Sequence, residues 1–356
     1  MTVNYRRILE NSPVETSAPC RVDLGGTLDL ATFYNPLRHR GPCTFNIAVD
    51  MKTTVRLQPG DKKMVTISSR GFKRAQFSPD QAPFEHPLGL MFAVAAYFNA
   101  EGILITIDSN SPPRSALGGS SAAAVALVAA FLFAKCRLKL TPQNREKIAL
   151  LAHRIEESVA GVPCGRQDQL AAAFGGANLW HWRPDLNGAA FKKQTIFAGA
   201  DLKIVSRHIL LAYCGAPHKS KDVNGIWVRQ FLAGLHRNRW KEIIDCTKKF
   251  VDALICSNYK EATTAMNDET AHRREMTPEV LDAMGVKLVD AALQSGCGAR
   301  FTGAGGGGCV WAIGALEDID RLRRVWEKLL AERKQAGLLD CGIDTEGVTV
   351  RRDPQD

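Results

Sequence analysis

No lysine occurs between Lys73 and Lys135. The glycine-serine stretch inside that interval therefore lacks the Gly-Lys-Ser/Thr core of a Walker loop, which excludes that type of nucleotide site. The ten cysteines stand singly, with no CxxC pair anywhere. That spacing argues against a zinc site and a disulfide framework, and free thiols point to a reducing cytoplasm. No secretory signal is legible, the apolar run after Ser121 is too short to cross a bilayer, and no repeat or low-complexity tract interrupts the chain. The net charge of +9 favours anionic small molecules such as nucleotides and sugar phosphates. Those basic residues are scattered without a nucleic-acid motif, so neither nucleic acid nor a membrane is expected as a partner. The 45% hydrophobic and 23% charged content is that of a globular protein, and 356 residues suit two domains.

The chain is organised around Pro112-Pro113-Arg114-Ser115-Ala116-Leu117-Gly118-Gly119-Ser120-Ser121, followed by an unbroken apolar run to Ala134. The prolines forbid helix at the start, the glycines let backbone N–H groups turn inward, and a helix begins near Ser120. A helix start offers unpaired N–H donors and partial positive charge, which together bind phosphate. The serines suit a helix cap or a metal ion. A capped core helix after a turn accounts for the same residues. The strand expected over Ile103–Ile107 feeds the loop, giving the strand–loop–helix setting that a phosphate site requires.

Upstream, Ser17-Ala18-Pro19-Cys20-Arg21-Val22-Asp23-Leu24-Gly25-Gly26-Thr27-Leu28-Asp29 reads as a short strand running into a glycine turn. Its arginine and carboxylates are either a surface ion pair or groups delivered to a cleft. Residues 1–16 are expected to be frayed or an added strand. Strands over Phe45–Leu57 and Met64–Ser69 follow, then a loop over 70–86 and an amphipathic helix over Pro87–Phe98. Thr141-Pro142 opens a helix, with Thr as N-cap and Pro at the first position. Its apolar face is Ile148, Leu151, Ala152, Ile155 and Val159. At about 100° per residue, Glu156 borders that face among small alanines with room for a cation, whereas Glu157 points to solvent. A rim glutamate without a role is the plainer reading. Asp168, in Gly165-Arg166-Gln167-Asp168-Gln169 before Leu170–Gly176, is either the cap of the next helix or a half-buried functional acid.

Further on, Leu202–Tyr213 has strand character. His218-Lys219-Ser220-Lys221 is an anion clamp or an ordinary basic turn. Helix is expected over most of Val223–Met284, from Thr277-Pro278 to Gln294, and over Glu317–Ala336, with a closing strand over Asp344–Arg351. Between them, Gly303-Ala304-Gly305-Gly306-Gly307-Gly308 places five glycines in six residues. Such a run costs backbone entropy, so it serves close approach of main chain to a ligand or to other main chain.

Together these segments resemble the GHMP kinases, named for galactokinase, homoserine, mevalonate and phosphomevalonate kinases. The first family motif is similar to Ala18-Pro19-Cys20-Arg21 through Asp29, the second to Pro112–Ala122, and the third to Arg300–Cys309. The passage Glu156–Gly176 is similar to a segment of galactokinases and heptose kinases. The resemblance spans Ser17–Arg351. It implies an α+β fold of two domains: an N-terminal phosphate-loop domain over 1–200 and a C-terminal ferredoxin-like domain over 201–356. It implies ATP and Mg²⁺ as cofactors and γ-phosphoryl transfer to a hydroxyl of a small-molecule sugar or sugar phosphate. Pro113, Ser115, Leu117, Gly118, Gly119, Ser120 and Ser121 would hold ATP, and Ser121 and Glu156 the metal. Asp168 and Arg21 would be catalytic. Asp23, Gly26, Asp29, Gly165, Asp168, Gly305 and Gly306 would line the acceptor site. The first motif is short around Gly25-Gly26, which leaves open whether Asp23 or Asp29 faces the acceptor. Arg21, Gln167-Asp168-Gln169 and the region Glu261–Cys309 look most like heptose kinases, which act on the anomeric hydroxyl of D-glycero-D-manno-heptose 7-phosphate. A galactokinase- or fucokinase-like acceptor is the alternative. The rival from another class is a silent relative that binds ATP and sugar, but such a protein is expected to lack the metal or base acid. A cytoplasmic enzyme is implied, and a homodimer is compatible with it.

Overall fold

The structure, a computed structural model, describes residues 3–183, 191–216 and 223–351. The chain opens with helix α1 (Tyr5–Asn11), where a frayed start or a strand is expected. The Asn4 side chain caps it by accepting from the Arg7 N–H, and Tyr5 and Leu9 are buried. Strand β1 (Val14–Leu24) then runs antiparallel to the long β2 (Cys43–Pro59), after the short helix α2 (Ala31–Tyr34). Their register shifts between Pro19 and Cys20, because proline has no N–H for the ladder. Next come β3 (Val65–Ser69), β4 (Ala75–Phe77), α3 (Gly89–Tyr97) and β5 (Ile103–Ser109). Thus β4 interrupts the expected loop. Helix α3 buries Met91 through Ala95 in succession rather than one amphipathic stripe.

Helices α4 (Gly119–Cys136), α5 (Pro142–Val159) and α6 (Gln167–Phe174) follow, then β6 (Ala177–Trp182) and β7 (Phe191–Phe197). Helix α4 is apolar enough for a membrane by composition, yet Ala122–Phe131 is buried throughout and packs on β1 and β2. It is the central core helix of the first domain. Thr141 caps α5 by accepting from the Asn144 N–H, as the Thr-Pro signature requires.

The second unit comprises α7 (Ala200–Ser206), β8 (Ile209–Tyr213), α8 (Val223–Leu232), α9 (Arg237–Ile255), α10 (Tyr259–Met276), α11 (Ala283–Gln294), β9 (Gly298–Phe301), β10 (Cys309–Ile313), α12 (Leu316–Leu330) and β11 (Gly337–Leu339). The continuous strand expected over Leu202–Tyr213 is split. Leu202 and Val205, three apart, bury one face of a helix before the strand begins. Helix α11 starts later than Thr277: Pro278–Val280 forms one 3₁₀ turn, and Asp282 supplies the cap by accepting from the Gly285 N–H at 2.7 Å. Helix α12 likewise stops at Leu330, short of Ala336. The antiparallel sheet has the order β11-β8-β10-β9. With its crossing helices it follows the βαββαβ path of a ferredoxin-like domain. Strand β12 (Thr349–Arg351), shorter than the closing strand expected, returns to the first sheet, whose order is β12-β1-β2-β5-β3-β4, with β6 and β7 branching from β2. Strand β12 therefore forms an edge of the N-terminal sheet beside β1. The mixed α+β, two-domain fold is present as expected.

Candidate active site

Alternate residues of a strand share a face, so β1 presents Arg21 and Asp23 together near its end. The Arg21 guanidinium grips Asp168 with two parallel bonds, Nε to Oδ1 at 2.8 Å and Nη2 to Oδ2 at 2.9 Å. Its Nη1 donates to the Ala116 carbonyl at 2.8 Å, and its backbone N–H donates to the Leu117 carbonyl at 2.9 Å. Strand end, loop and α6 are thereby fastened to one another. Burial pulls the Arg21 pKa down, but Asp168 and Asp23 more than offset this, and it lies above its ordinary value. Asp168 does not cap α6: Arg166 holds the N-cap position, Asp168 lies within the first turn, and its carboxylate is turned to Arg21. Its side chain keeps 22% exposure, so it can still face a ligand.

The loop reaches α4 through three left-handed residues: Arg114 (φ 55°), Ala116 (φ 61°) and Gly118 (φ 77°). No side chain caps α4. Helix α4 is thus a core helix without the expected cap: the N-cap position is Gly118, and the Ser121 hydroxyl turns to Glu156. That start opens into a cleft of about 580 Å³ lined by Pro113, Ser115, Gly118, Gly119, Ser120 and Ser121. Leu117 does not line it; its side chain is buried and its carbonyl holds Arg21. Beyond the loop the wall turns apolar, with Phe72, Leu90, Met91 and Ile107.

Beside the helix start, Glu156 accepts from the Ser121 hydroxyl at 3.1 Å and from Gln169 Nε2 at 2.7 Å. Burial pushes its carboxyl up to about 7, against the lowering effect of these bonds. Glu157 is exposed, as expected. No cluster of three or more His, Cys, Asp or Glu ligands exists among the described residues. One carboxylate and one hydroxyl nevertheless form a donor set that suits Mg²⁺, which typically takes one or two protein oxygens and completes its shell with phosphate and water.

The two candidate acids differ in placement. Asp29 lines the cleft with Gly165, and its Oδ2 accepts from the Gln167 N–H at 2.9 Å. Burial raises its pKa. Asp23 is fully buried and does not reach the cleft; it accepts from the Gly303 N–H at 2.7 Å and from Arg300 at 3.0 Å. Gly26 also lies outside the cleft, where a Cβ would come within 2.4 Å of Asp23 Oδ2. Gly305 and Gly306 are not brought to it either. A Cβ on Gly305 would meet the Val280 carbonyl at 2.4 Å, and the Gly306 N–H donates to that same oxygen at 2.8 Å. Of the glycine run, Gly303 and Ala304 line the wall. Sequence reasoning missed Thr27, Cys164 and Asn224, which also face the cleft. It missed Gln169 as well, whose contact with Glu156 depends on two helices meeting. The segment His218–Lys221 lies outside the described residues.

Comparison with known proteins bears on this arrangement. A family model described as the GHMP kinases N terminal domain matches residues 87–176, and one described as GHMP kinases C terminal matches residues 250–332. A mevalonate kinase of Pyrococcus horikoshii is 27% identical over 297 residues, covering 75% of this chain and 80% of that protein. Probable glucuronokinase 2 of Arabidopsis thaliana is 28% identical over 209 residues, covering 57% of this chain and 55% of that one. Among solved structures, a D-glycero-D-manno-heptose 1-phosphate kinase from Bacteriodes thetaiotaomicron superposes with a TM-score of 0.73 at 16% identity, covering 96% of this chain and 99% of the other. A Lactococcus lactis galactokinase complexed with galactose gives 0.71 at 17%, covering 97% of both. At those identities the structural likeness speaks for the fold.

Proposed function

We propose that this chain, which belongs to the GHMP kinases, transfers the γ-phosphoryl group of ATP to a hydroxyl of a sugar or sugar phosphate. The anomeric hydroxyl of a heptose phosphate is the first candidate, and a monosaccharide such as galactose or fucose the second. The observation that carries this reading is the Arg21–Asp168 fork set beside an uncapped helix start in one cleft.

Phosphoryl transfer needs positioning and charge neutralisation more than covalent help. N–H groups from Gly118 to Ser121 hold the phosphates of ATP, and the apolar wall around Phe72 and Met91 takes the base. Ser121 and Glu156 would hold Mg²⁺, which supplies positive charge to the β- and γ-phosphate oxygens. Asp168 accepts or orients the proton of the acceptor hydroxyl. Arg21 fixes the direction of that carboxylate and supports the charge that develops on the reacting oxygens. Asp29, Thr27 and Asn224 bind the remaining hydroxyls. All ten cysteines are free, which fits a cytoplasmic enzyme.

Similarity to mevalonate kinases favours a second reading, an acceptor that carries a carboxylate. What supports a sugar instead is Asp29 in the cleft wall, a carboxylate suited to accept from hydroxyls of the acceptor. ADP release measured across heptose 7-phosphate, galactose, fucose, glucuronate and mevalonate separates the readings. Turnover with mevalonate alone sinks the sugar assignment, and ATP binding without turnover on any acceptor leaves the silent relative. Asp168→Asn should retain ATP binding and lose about 10³-fold or more in kcat; turnover near the wild-type level removes the proposed base.

A further inference from the structure

Behind Arg21 runs a line of alternating buried charges that the transfer chemistry does not touch. Asp23 stands 3.7 Å from Arg21 Nη1. Arg300 Nη1 reaches Asp23 Oδ2 at 3.0 Å, and Arg300 Nε reaches Glu269 Oε2 at 2.9 Å. Glu269 Oε1 accepts from Arg273 Nε at 2.9 Å, and Arg273 Nη2 donates to the Gly26 carbonyl at 2.6 Å. Its guanidinium carbon lies 4.7 Å from the ring centres of both Trp227 and Trp240. The side chains of Asp23, Arg300, Glu269 and Arg273 are all 0% exposed.

Stability is a poor explanation for this line. Desolvating paired charges costs about as much as their attraction returns, and packed apolar residues do as well or better. Here Arg300 Nη2 and Arg273 Nη1 have no hydrogen-bond partner at all, which adds to the cost. What the line achieves is placement. It starts on α10 and β9 of the second domain and ends on β1 of the first. Asp23 Oδ1 also accepts from the Gly303 N–H, and a Cβ on Gly303 would stand 3.1 Å from Arg21 Nη2. The guanidinium of Arg21 is thus walled by the second domain on one side and bonded to Asp168 on the other.

We propose that Asp23, Arg300, Glu269 and Arg273 are positioning residues by which the second domain sets the orientation of Arg21, and through it the direction of the Asp168 carboxylate. This rests on the kinase reading above. Asp23→Asn should lower kcat about ten- to hundredfold with the KM for ATP changed less than about twofold. Arg300→Lys, which keeps the charge and loses the fork, and Glu269→Gln should act in the same direction. The deciding measurement is a double-mutant cycle with Arg21→Lys. If the line works through Arg21, adding Asp23→Asn to Arg21→Lys costs little more than Arg21→Lys alone. An equal fold-loss in both backgrounds, or a rise in ATP KM at unchanged kcat, overturns the inference. Should Asp23→Asn fail to fold, Arg300→Lys and Glu269→Gln read the same cycle. Asp168→Asn measured alongside keeps the two readings apart. If it is impaired while the Asp23, Arg300 and Glu269 variants are not, only the positioning role falls; if it turns over normally, the role of Asp168 as base falls and takes this one with it; and if the wild type releases ADP with none of the acceptors, the kinase reading itself falls.

Discussion

Two glycine-rich loops meet at the cleft, and their glycines serve opposite purposes. In the loop before α4, Gly118 and Gly119 line the cleft, and Gly119 opens a helix that no side chain caps. At Gly119 a Cβ would meet only the Ser111 hydroxyl, so space is kept there for something outside the chain. At Gly305 and Gly308 of the second run the space is already filled by the chain itself. A Cβ on Gly308 would come within 2.5 Å of the Ser115 carbonyl, and one on Gly305 within 2.4 Å of the Val280 carbonyl. The richer run is therefore a packing device at Gly305 and Gly308, and the poorer one keeps open the place proposed for phosphate. Glycine content reports close approach; only an account of where the backbone hydrogen bonds go tells what approaches.

The sharpest way to break this contrast is alanine at one glycine of each loop. Gly308→Ala meets a carbonyl that cannot yield and forces φ +87° on a residue with a side chain. It should cost about 3 kcal/mol or more, seen as a drop in the urea midpoint or as insoluble protein. An unchanged midpoint would show that the run is not a packing element. Gly119→Ala is expected to do the reverse. The added Cβ finds only the Ser111 hydroxyl, at an ordinary 3.4 Å, and alanine favours helix by about 0.5–1 kcal/mol over glycine. Stability should hold or rise while ATP affinity falls about tenfold, because the methyl stands where phosphate oxygens approach the N–H donors. Calorimetric titration with ATP measures this directly, and undiminished affinity removes the loop as the phosphate site.

Most of the site is legible in the sequence because local geometry fixes it. Thr141-Pro142 sets the start of α5, and helical periodicity then selects Glu156 over Glu157. Pro112-Pro113 and Gly118-Gly119 locate the loop. What escaped the sequence depends on non-local contact. Nothing near Asp23 indicates that Arg300, 277 residues away, reaches it and holds it out of the cleft, so Asp23 and Asp29 look equivalent until the second domain is in place. Gly305 and Gly306 look like ligand contacts for the same reason, since Val280 comes from a distant turn. The split of Leu202–Tyr213 was hidden differently: a short apolar run fits either a strand or one turn of helix, and periodicity alone does not arbitrate.

The acids beside the two loops extend the contrast to charge, with a smaller effect to measure. Glu269, behind the glycine run, is buried, but Arg300 and Arg273 hold its pKa below the ordinary value. Glu156, beside the loop before α4, accepts only from neutral groups and is raised by burial to about 7 from 4.5. Between those two values the folded protein binds more protons at Glu156 than the unfolded chain. Stability from this group is therefore lost as pH rises from about 4.5 to 7 and stays lost above that. Glu156→Gln keeps the shape and does not titrate. Without metal or nucleotide, the variant should match the wild type near pH 4.5 and exceed it at pH 8 by on the order of 1 kcal/mol, read as a difference in urea midpoints. With Mg²⁺ and ADP added at pH 8 the order should reverse, because only the wild type keeps the anionic ligand that the cation stabilises. A variant that gains nothing at pH 8, or a wild type that Mg²⁺ with ADP does not favour, would mean that Glu156 is an ordinary rim carboxylate.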